Sequence, residues 1–264
     1  MYTYGDSHPN YVSTEYKMNL PIGLPVELAA PGRASVARPH PVYPGKLIAV
    51  EGLDGSGKST QIYLLKRFLE LQNLKVSFTE WNSSTIVKEA TKRGKKQQLL
   101  TATTFCLIHC TDFAHRYERF IVPLLRQGYI VLADRYIFTA LARDAVRGCD
   151  RAWIRNLYDF AILPDITFYF DVPLATAMGR ILSGRPVLKY HEAGMDLGLS
   201  TDLYESFHLF QGRIKEEYSR LAEEYNFTVM DASLPIEAQQ ERMRAIVKDR
   251  LDFPHFVRKG RLGV

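Results

Sequence analysis

The sequence predicts an α/β fold: a five-stranded parallel sheet with helices on both faces and a lid segment. Three observations carry this reading. From Lys46 onward, short apolar runs alternate with longer amphipathic stretches, as strand and helix alternation around a parallel sheet requires. Each apolar run is hydrophobic enough to be buried on both faces. A glycine-rich turn follows the first run directly and opens a helical pattern.

The predicted strands are residues 47–50, 75–79, 129–133, 166–170 and 227–230. Between them, Ile62, Leu65 and Leu69 recur at helical spacing after the glycine turn. Phe120, Ile121, Leu124 and Leu125 do the same before the third strand, with Gly128 as the stop. Residues 184–204 break the pattern: Gly184, Pro186, Gly194, Gly198 and Ser200 punctuate a polar stretch between two helical patterns, which marks the lid. Residues 1–45, rich in proline and tyrosine, show no sustained period and read as an extended N-terminal extension. Their aromatic content offers docking on the domain or on a second subunit as the alternative to a free tail.

The formal charge is +5 and the pI about 9.0, with basic residues scattered among acids rather than gathered in a stripe. That pattern gives no reason to expect a nucleic-acid partner and fits a phosphate-handling protein with uncompensated cations in its site. The short cluster Lys92, Arg93, Lys95 and Lys96 reads as a solvated face. Cys106, Cys110 and Cys149 have no zinc-site spacing and read as buried packing in a reducing compartment. No apolar run forms a signal peptide or spans a bilayer, so the expectation is a cytoplasmic protein without a membrane partner.

The segment Gly-Leu-Asp-Gly-Ser-Gly-Lys-Ser over residues 52–59 fits G-x-x-x-x-G-K-[ST], between a strand and a helix. The bare pattern arises by chance in roughly one chain of this length in a hundred, before that context is required. Glycines let backbone N–H groups curl around a β-phosphate, and the helix N-terminus adds its partial positive charge. The ATP-binding set is therefore Gly52, Asp54, Gly55, Ser56, Gly57, Lys58, Ser59 and Thr60. Lys58 is expected to reach the β- and γ-phosphates, and the Ser59 hydroxyl to ligate Mg²⁺. Farther on, Asp134 and Arg135 end the third strand, where such folds bind ligands. This pair suits a hydrated Mg²⁺ and the grip on an acceptor phosphate.

With these motifs placed, the chain resembles the thymidylate kinase family across most of residues 46–250. The match rests on four segments: the first strand and loop over residues 48–61, Asp134-Arg135-Tyr136, the strand Pro164-Asp165 to Pro173, and residues 229–237. The resemblance implies a P-loop NTPase fold for residues 46–264 and transfer of a phosphoryl group from Mg·ATP to a nucleoside monophosphate, with dTMP giving dTDP. It also implies a homodimer on the helix that includes Phe105 and Arg126. It puts Asp54 near the acceptor sugar hydroxyl, Arg135 on the acceptor phosphate, and Arg180 and Arg185 as lid arginines closing over the phosphates.

The acceptor pocket departs from the family pattern. The segment after the second strand, Phe78-Thr-Glu-Trp-Asn-Ser-Ser84, lacks the arginine that family members use on the acceptor phosphate. An ungapped count anchored on Pro123 and Asp134 puts His109 and Phe113 where the family has its stacking phenylalanine and base-binding arginine. Arg143 and Asp144 stand where it has an aromatic and a glutamine. Arg143 suits a base face or a phosphate, and Asp144 suits a ring N–H. A slip of one turn would let Arg116 or Arg119 supply the missing cation. At this stage a different nucleotide or phosphorylated metabolite as acceptor stays open, as does a nucleotide-binding regulatory module without transfer.

Overall fold

The computed structural model describes residues 41–258, so the expected extension over residues 1–45 lies almost wholly outside them. Within them, the strands β1 (Lys46–Gly52), β2 (Val76–Glu80), β3 (Ile130–Asp134), β4 (Ile166–Asp171) and β5 (Thr228–Asp231) form one parallel sheet in the order β2-β3-β1-β4-β5. Strand β1 is central, paired with β3 on one side and β4 on the other, with Val50 opposite Asp134 and Gly52 opposite Phe170. The connection out of β1 runs to β2 on one side and the connection out of β3 runs past β1 to β4 on the other, so a crevice opens beyond the carboxyl ends of β1 and β3. All five strands fall where the apolar runs place them. Full burial holds for β1, β3 and β4, whereas β2 and β5, at the sheet edges, each keep an exposed side.

Alternation along β1 builds two cores. Leu47 and Ala49 face a cluster with Cys106, Phe113, Ile121, Tyr136, Ile214 and Tyr218 from helices α3 (Ala102–Arg116), α5 (Ile137–Val146) and α8 (Leu203–Glu224) and their flanks. Ile48 and Val50 face Ile62, Leu65 and Leu69 of α1 (Lys58–Leu71) and Met243 and Val247 of the C-terminal helix Ile236–Arg250. Helix α2 is Lys88–Lys96, α4 is Val122–Arg126, α6 is Arg151–Leu157 and α7 is Leu174–Gly184. Helices α3 and α4 are one continuous rod interrupted by a π turn, Tyr117–Ile121. Its i→i+5 bonding takes up extra chain within the helix. Of the predicted stripe, Ile121, Leu124 and Leu125 are buried, and Phe120 is turned outward.

The lid segment has its own small core. Leu188 and Ala193 are buried with Ile181 and Phe207. Gly194 holds φ +69° where a Cβ would stand 2.4 Å from the Phe210 ring, so only glycine lets the segment lie this close to α8.

One buried carboxylate ties these layers together. Glu51, the penultimate residue of β1, is fully buried and accepts three hydrogen bonds. They come from the Tyr136 N–H at 2.7 Å, the Thr139 hydroxyl at 2.7 Å and the Tyr218 hydroxyl at 2.9 Å. Tyr136 and Thr139 open α5, so the carboxylate also meets that helix's positive end. Burial raises the Glu51 pKa above the ordinary carboxyl range, against the lowering by Thr139, Tyr136, Arg135 and Tyr218.

Replacing Glu51 by Ala leaves the buried Tyr136 N–H without its acceptor and the Thr139 and Tyr218 hydroxyls, 3.1 Å apart, with only each other, and urea denaturation is expected to show a loss of about 3 kcal/mol. A group whose folded pKa is raised takes up a proton on folding, so its stabilisation is full at low pH and falls as pH rises through the raised value. The wild type is therefore expected to lose stability relative to Glu51→Gln across that window. A difference independent of pH contradicts the assignment.

Candidate active site

The crevice beyond β1 and β3 is a cavity of about 570 Å³. Lys58, Lys95, Lys96, Arg135, Arg143, Arg147 and Lys189 line it against only four carboxylates, Asp54, Glu80, Asp134 and Glu192. That excess of cations over a recessed surface suits a polyanion.

On its inner side lies the glycine loop. Gly55, at φ +80°, passes so close to α7 that a Cβ would stand 2.3 Å from the Ala177 carbonyl oxygen. Arg180 of α7 holds the loop from behind, donating to the Ser56 carbonyl at 3.4 Å and the Ala232 carbonyl at 2.9 Å. Lys58 and Ser59 begin α1, and Thr60 is exposed beside them. The Lys58 ammonium is buried and donates to the Leu53 carbonyl at 3.3 Å. Burial and then Arg135 push its pKa down to about 8, against Asp134 and Asp54.

The Ser59 hydroxyl donates to Asp134 Oδ2 at 2.5 Å, while Asp134 Oδ1 is buried without a partner among the described residues. A hydroxyl and a carboxylate with a spare oxygen are the hard donors a Mg²⁺ ion takes, so these residues fit that ion.

Arg135, between β3 and α5, holds φ +71°, a left-handed conformation that costs a non-glycine residue and clusters at working sites. The turn aims its guanidinium at the loop, where it donates to the Gly52 carbonyl at 3.2 Å and to Asp54 Oδ1. Arg143 of α5 donates to the other oxygen, Asp54 Oδ2, at 2.7 Å. Burial alone would raise the Asp54 pKa, but Arg143, Arg135 and Lys58 together hold it far below the carboxylate range. Asp54 is thus a permanent counter-ion that pins two arginines at the junction of the loop and the outer groove.

Trp81, Phe105 and His109 line the outer groove. The imidazole stands 5.7 Å from Trp81 and 5.4 Å from Phe105 between ring centroids, with Nδ1 3.3 Å from Asp144 Oδ1. Arg147 is a strut. It donates to Asp196 Oδ2 and to the His191 carbonyl, both at 3.0 Å, and packs between the rings of Phe105 and Phe210, fixing the lid segment over this end.

Loop residues, Asp134, Arg135, Arg143 and His109 therefore converge in one cavity, and other readings need correction. Phe113 is fully buried in the core behind Trp81, stacked on Tyr117, and does not line the groove. The ungapped count from Pro123 runs through the π turn, which rotates the residues before it. Asp144 is also fully buried, reached through His109 and not from the cavity. Of the two lid arginines, Arg180 lies against the phosphate loop and braces its backbone, whereas Arg185 pairs with Glu192 of the lid segment and does not line the cavity. The solvated-face reading of the basic cluster fails at Lys95, which turns into the groove over the Phe105 ring, 5.5 Å from its centroid. Among the described residues no carboxylate lies within salt-bridge distance of Lys95. Burial, Arg143 and Arg147 push its pKa down to about 8. Arg116 does not replace the absent arginine either: it is buried on Asp112 at 2.8 Å and Thr79 at 3.1 Å, behind Trp81.

The thymidylate kinase family model matches residues 50–243. The chain is 46% identical over 209 residues to the probable thymidylate kinase 2 of Saccharolobus solfataricus, covering 79% of this chain and 98% of the relative. It is 30% identical to the probable thymidylate kinase 1 of the same organism, over 78% of this chain and 98% of that one. A probable thymidylate kinase of Thermococcus kodakarensis is 28% identical, over 77% of this chain and 98% of the relative.

Gly55→Ala brings a Cβ against backbone at a left-handed position, a strain of about 2 kcal/mol or more. Calorimetric titration is expected to show ATP affinity reduced by roughly 30-fold. Unchanged affinity would mean that the loop does not carry the nucleotide.

Proposed function

The chain belongs to the thymidylate kinase family, and from that premise we propose that it phosphorylates dTMP with ATP, giving dTDP and ADP. The observation that carries this reading is the shared joint at Asp54. One carboxylate holds Arg135 and Arg143 between a phosphate loop on one side and an aromatic-walled groove on the other.

ATP lies with its phosphates on the loop, the backbone N–H groups and Lys58 facing the β- and γ-phosphates. Ser59 and Asp134 would hold Mg²⁺, which neutralises phosphate charge when bound. The acceptor enters the outer groove with its base beside Trp81, Phe105 and His109 and its phosphate toward Arg135 and Arg143. Both guanidiniums are already oriented by Asp54, so little rearrangement accompanies binding. An acceptor phosphate oxygen then attacks the γ-phosphorus in line, its bond to the β–γ bridging oxygen breaks, and ADP leaves. Lys58 and the two arginines offset the charge that spreads over the transferring group. Lys95 adds a cation at the outer end of the groove. A regulatory module that binds ATP without transfer would need Lys58, Ser59 and Asp134, but has no use for Arg135 and Arg143 held together by Asp54 toward an acceptor groove.

The exposed Leu107 and Phe120 on the helix that carries His109 support a dimer contact there. No helix among the described residues is long and apolar enough to cross a membrane, and Cys106, Cys110 and Cys149 are free thiols. Both observations support a cytoplasmic location.

An ADP-release assay with Mg·ATP is expected to show turnover that depends on dTMP. Lys58→Ala should lower kcat by about 10²- to 10³-fold, as loss of one preorganised cation does. In the wild type, kcat/KM for ATP should fall as pH rises through about 8, where free Lys58 loses its proton. ATP binding without turnover on dTMP overturns the proposal.

A further inference from the structure

Resting on dTMP phosphorylation as the reaction, we infer that His109 reads the acceptor base by accepting a hydrogen bond from its ring N3–H, and that Asp144 is the positioning residue that sets the His109 tautomer.

The two nitrogens of His109 lie in different surroundings. Nδ1 is turned inward, 3.3 Å from Asp144 Oδ1 and 3.4 Å from Oδ2. Asp144 is fully buried, and among the described residues His109 is its one ion-pair partner. The residue is 4% exposed and lines the cavity, so what it shows to solvent faces the groove. Among the described residues Nε2 has no hydrogen-bond partner, and it is not closed off from solvent. A carboxylate only accepts, so the proton between the two side chains sits on Nδ1, and in the neutral imidazole the lone pair is then on Nε2, facing outward. The Phe105 and Trp81 rings both pack against the imidazole. The arrangement is a fixed acceptor beside two aromatic rings.

A 2,4-dioxopyrimidine such as thymine carries a proton at N3 and satisfies that acceptor. A 4-amino-2-oxopyrimidine such as cytosine has a lone pair at N3 and leaves two acceptors face to face. A polar group built to bond one partner discriminates by being left unpaired with the other.

Steady-state kinetics with the full chain, Mg·ATP, dTMP, dCMP and N3-methyl-dTMP test this. In the wild type, kcat/KM for dTMP should exceed that for dCMP and for the methylated nucleotide by roughly 10- to 100-fold each. In Asp144→Asn the carboxamide can donate to Nδ1 and move the ring proton to Nε2. The dTMP-to-dCMP ratio should then fall by roughly tenfold or more. A purely structural role for Asp144 would weaken both nucleotides and leave the ratio alone. Equal use of dTMP and N3-methyl-dTMP by the wild type overturns the inference and needs no variant to fold. So does an unchanged ratio in a folded Asp144→Asn protein. Absence of dTMP turnover in the wild type is a separate outcome that removes the proposed reaction and this inference with it.

Discussion

Glu51 is the constraint on which the geometry of the site rests. The strand that carries the phosphate loop and the helix that carries Arg143 and Asp144 touch at its carboxylate. The Tyr136 amide and the Thr139 hydroxyl fix the first turn of α5 against the end of β1. Arg135 lies between the last residue of β3 and that pinned turn, and the short span forces its left-handed backbone. The same span aims its guanidinium back at Gly52 and Asp54. Tyr218 brings α8 to the same oxygen, and α8 in turn holds the lid segment through Phe207 and Phe210. A buried charge is costly in isolation; here three donors and a helix terminus surround it, and a single register results.

Electrostatics divide the cavity into compensated and uncompensated cations. Asp54 neutralises part of Arg135 and Arg143, and Asp196 neutralises Arg147, so these guanidiniums are oriented before any ligand arrives. Among the described residues Lys58 and Lys95 lack such partners, and burial lowers the pKa of each. An incoming phosphate offsets that lowering, which favours anions over neutral ligands without a specific contact to each one.

The sheet and the phosphate loop were legible in the sequence because each depends on local pattern. Apolar runs buried on both faces identify the strands of a parallel sheet, and the lysine-serine pair after a glycine turn has few other uses. What the sequence concealed depends on tertiary placement. Helix α2 is polar nearly all round, so nothing in its pattern distinguishes Lys95 from its solvated neighbours; only the packing of Gly94 against Leu100 shows which side faces inward. Phe113 lies in the core ahead of a π turn, and no composition signal marks such a turn. Arg185 sits where a lid begins, yet its partner is Glu192 of the lid itself, while Arg180 bonds the Ser56 and Ala232 carbonyls. Asp144 was legible as a polar residue on an apolar helix, but whether it met the ligand or His109 depended on the rotation of α5.

The central claim is that the loop and the outer groove form one continuous site meeting at Asp54, Arg135 and Arg143. Calorimetric titration with a dinucleoside pentaphosphate joining adenosine to thymidine tests it most directly. A continuous site predicts one molecule bound per chain, displaced by either ATP or dTMP, with affinity at least about 100-fold above that of each nucleotide alone, as linkage of two occupied subsites gives. Binding no tighter than that of ATP, and indifferent to dTMP, would contradict it.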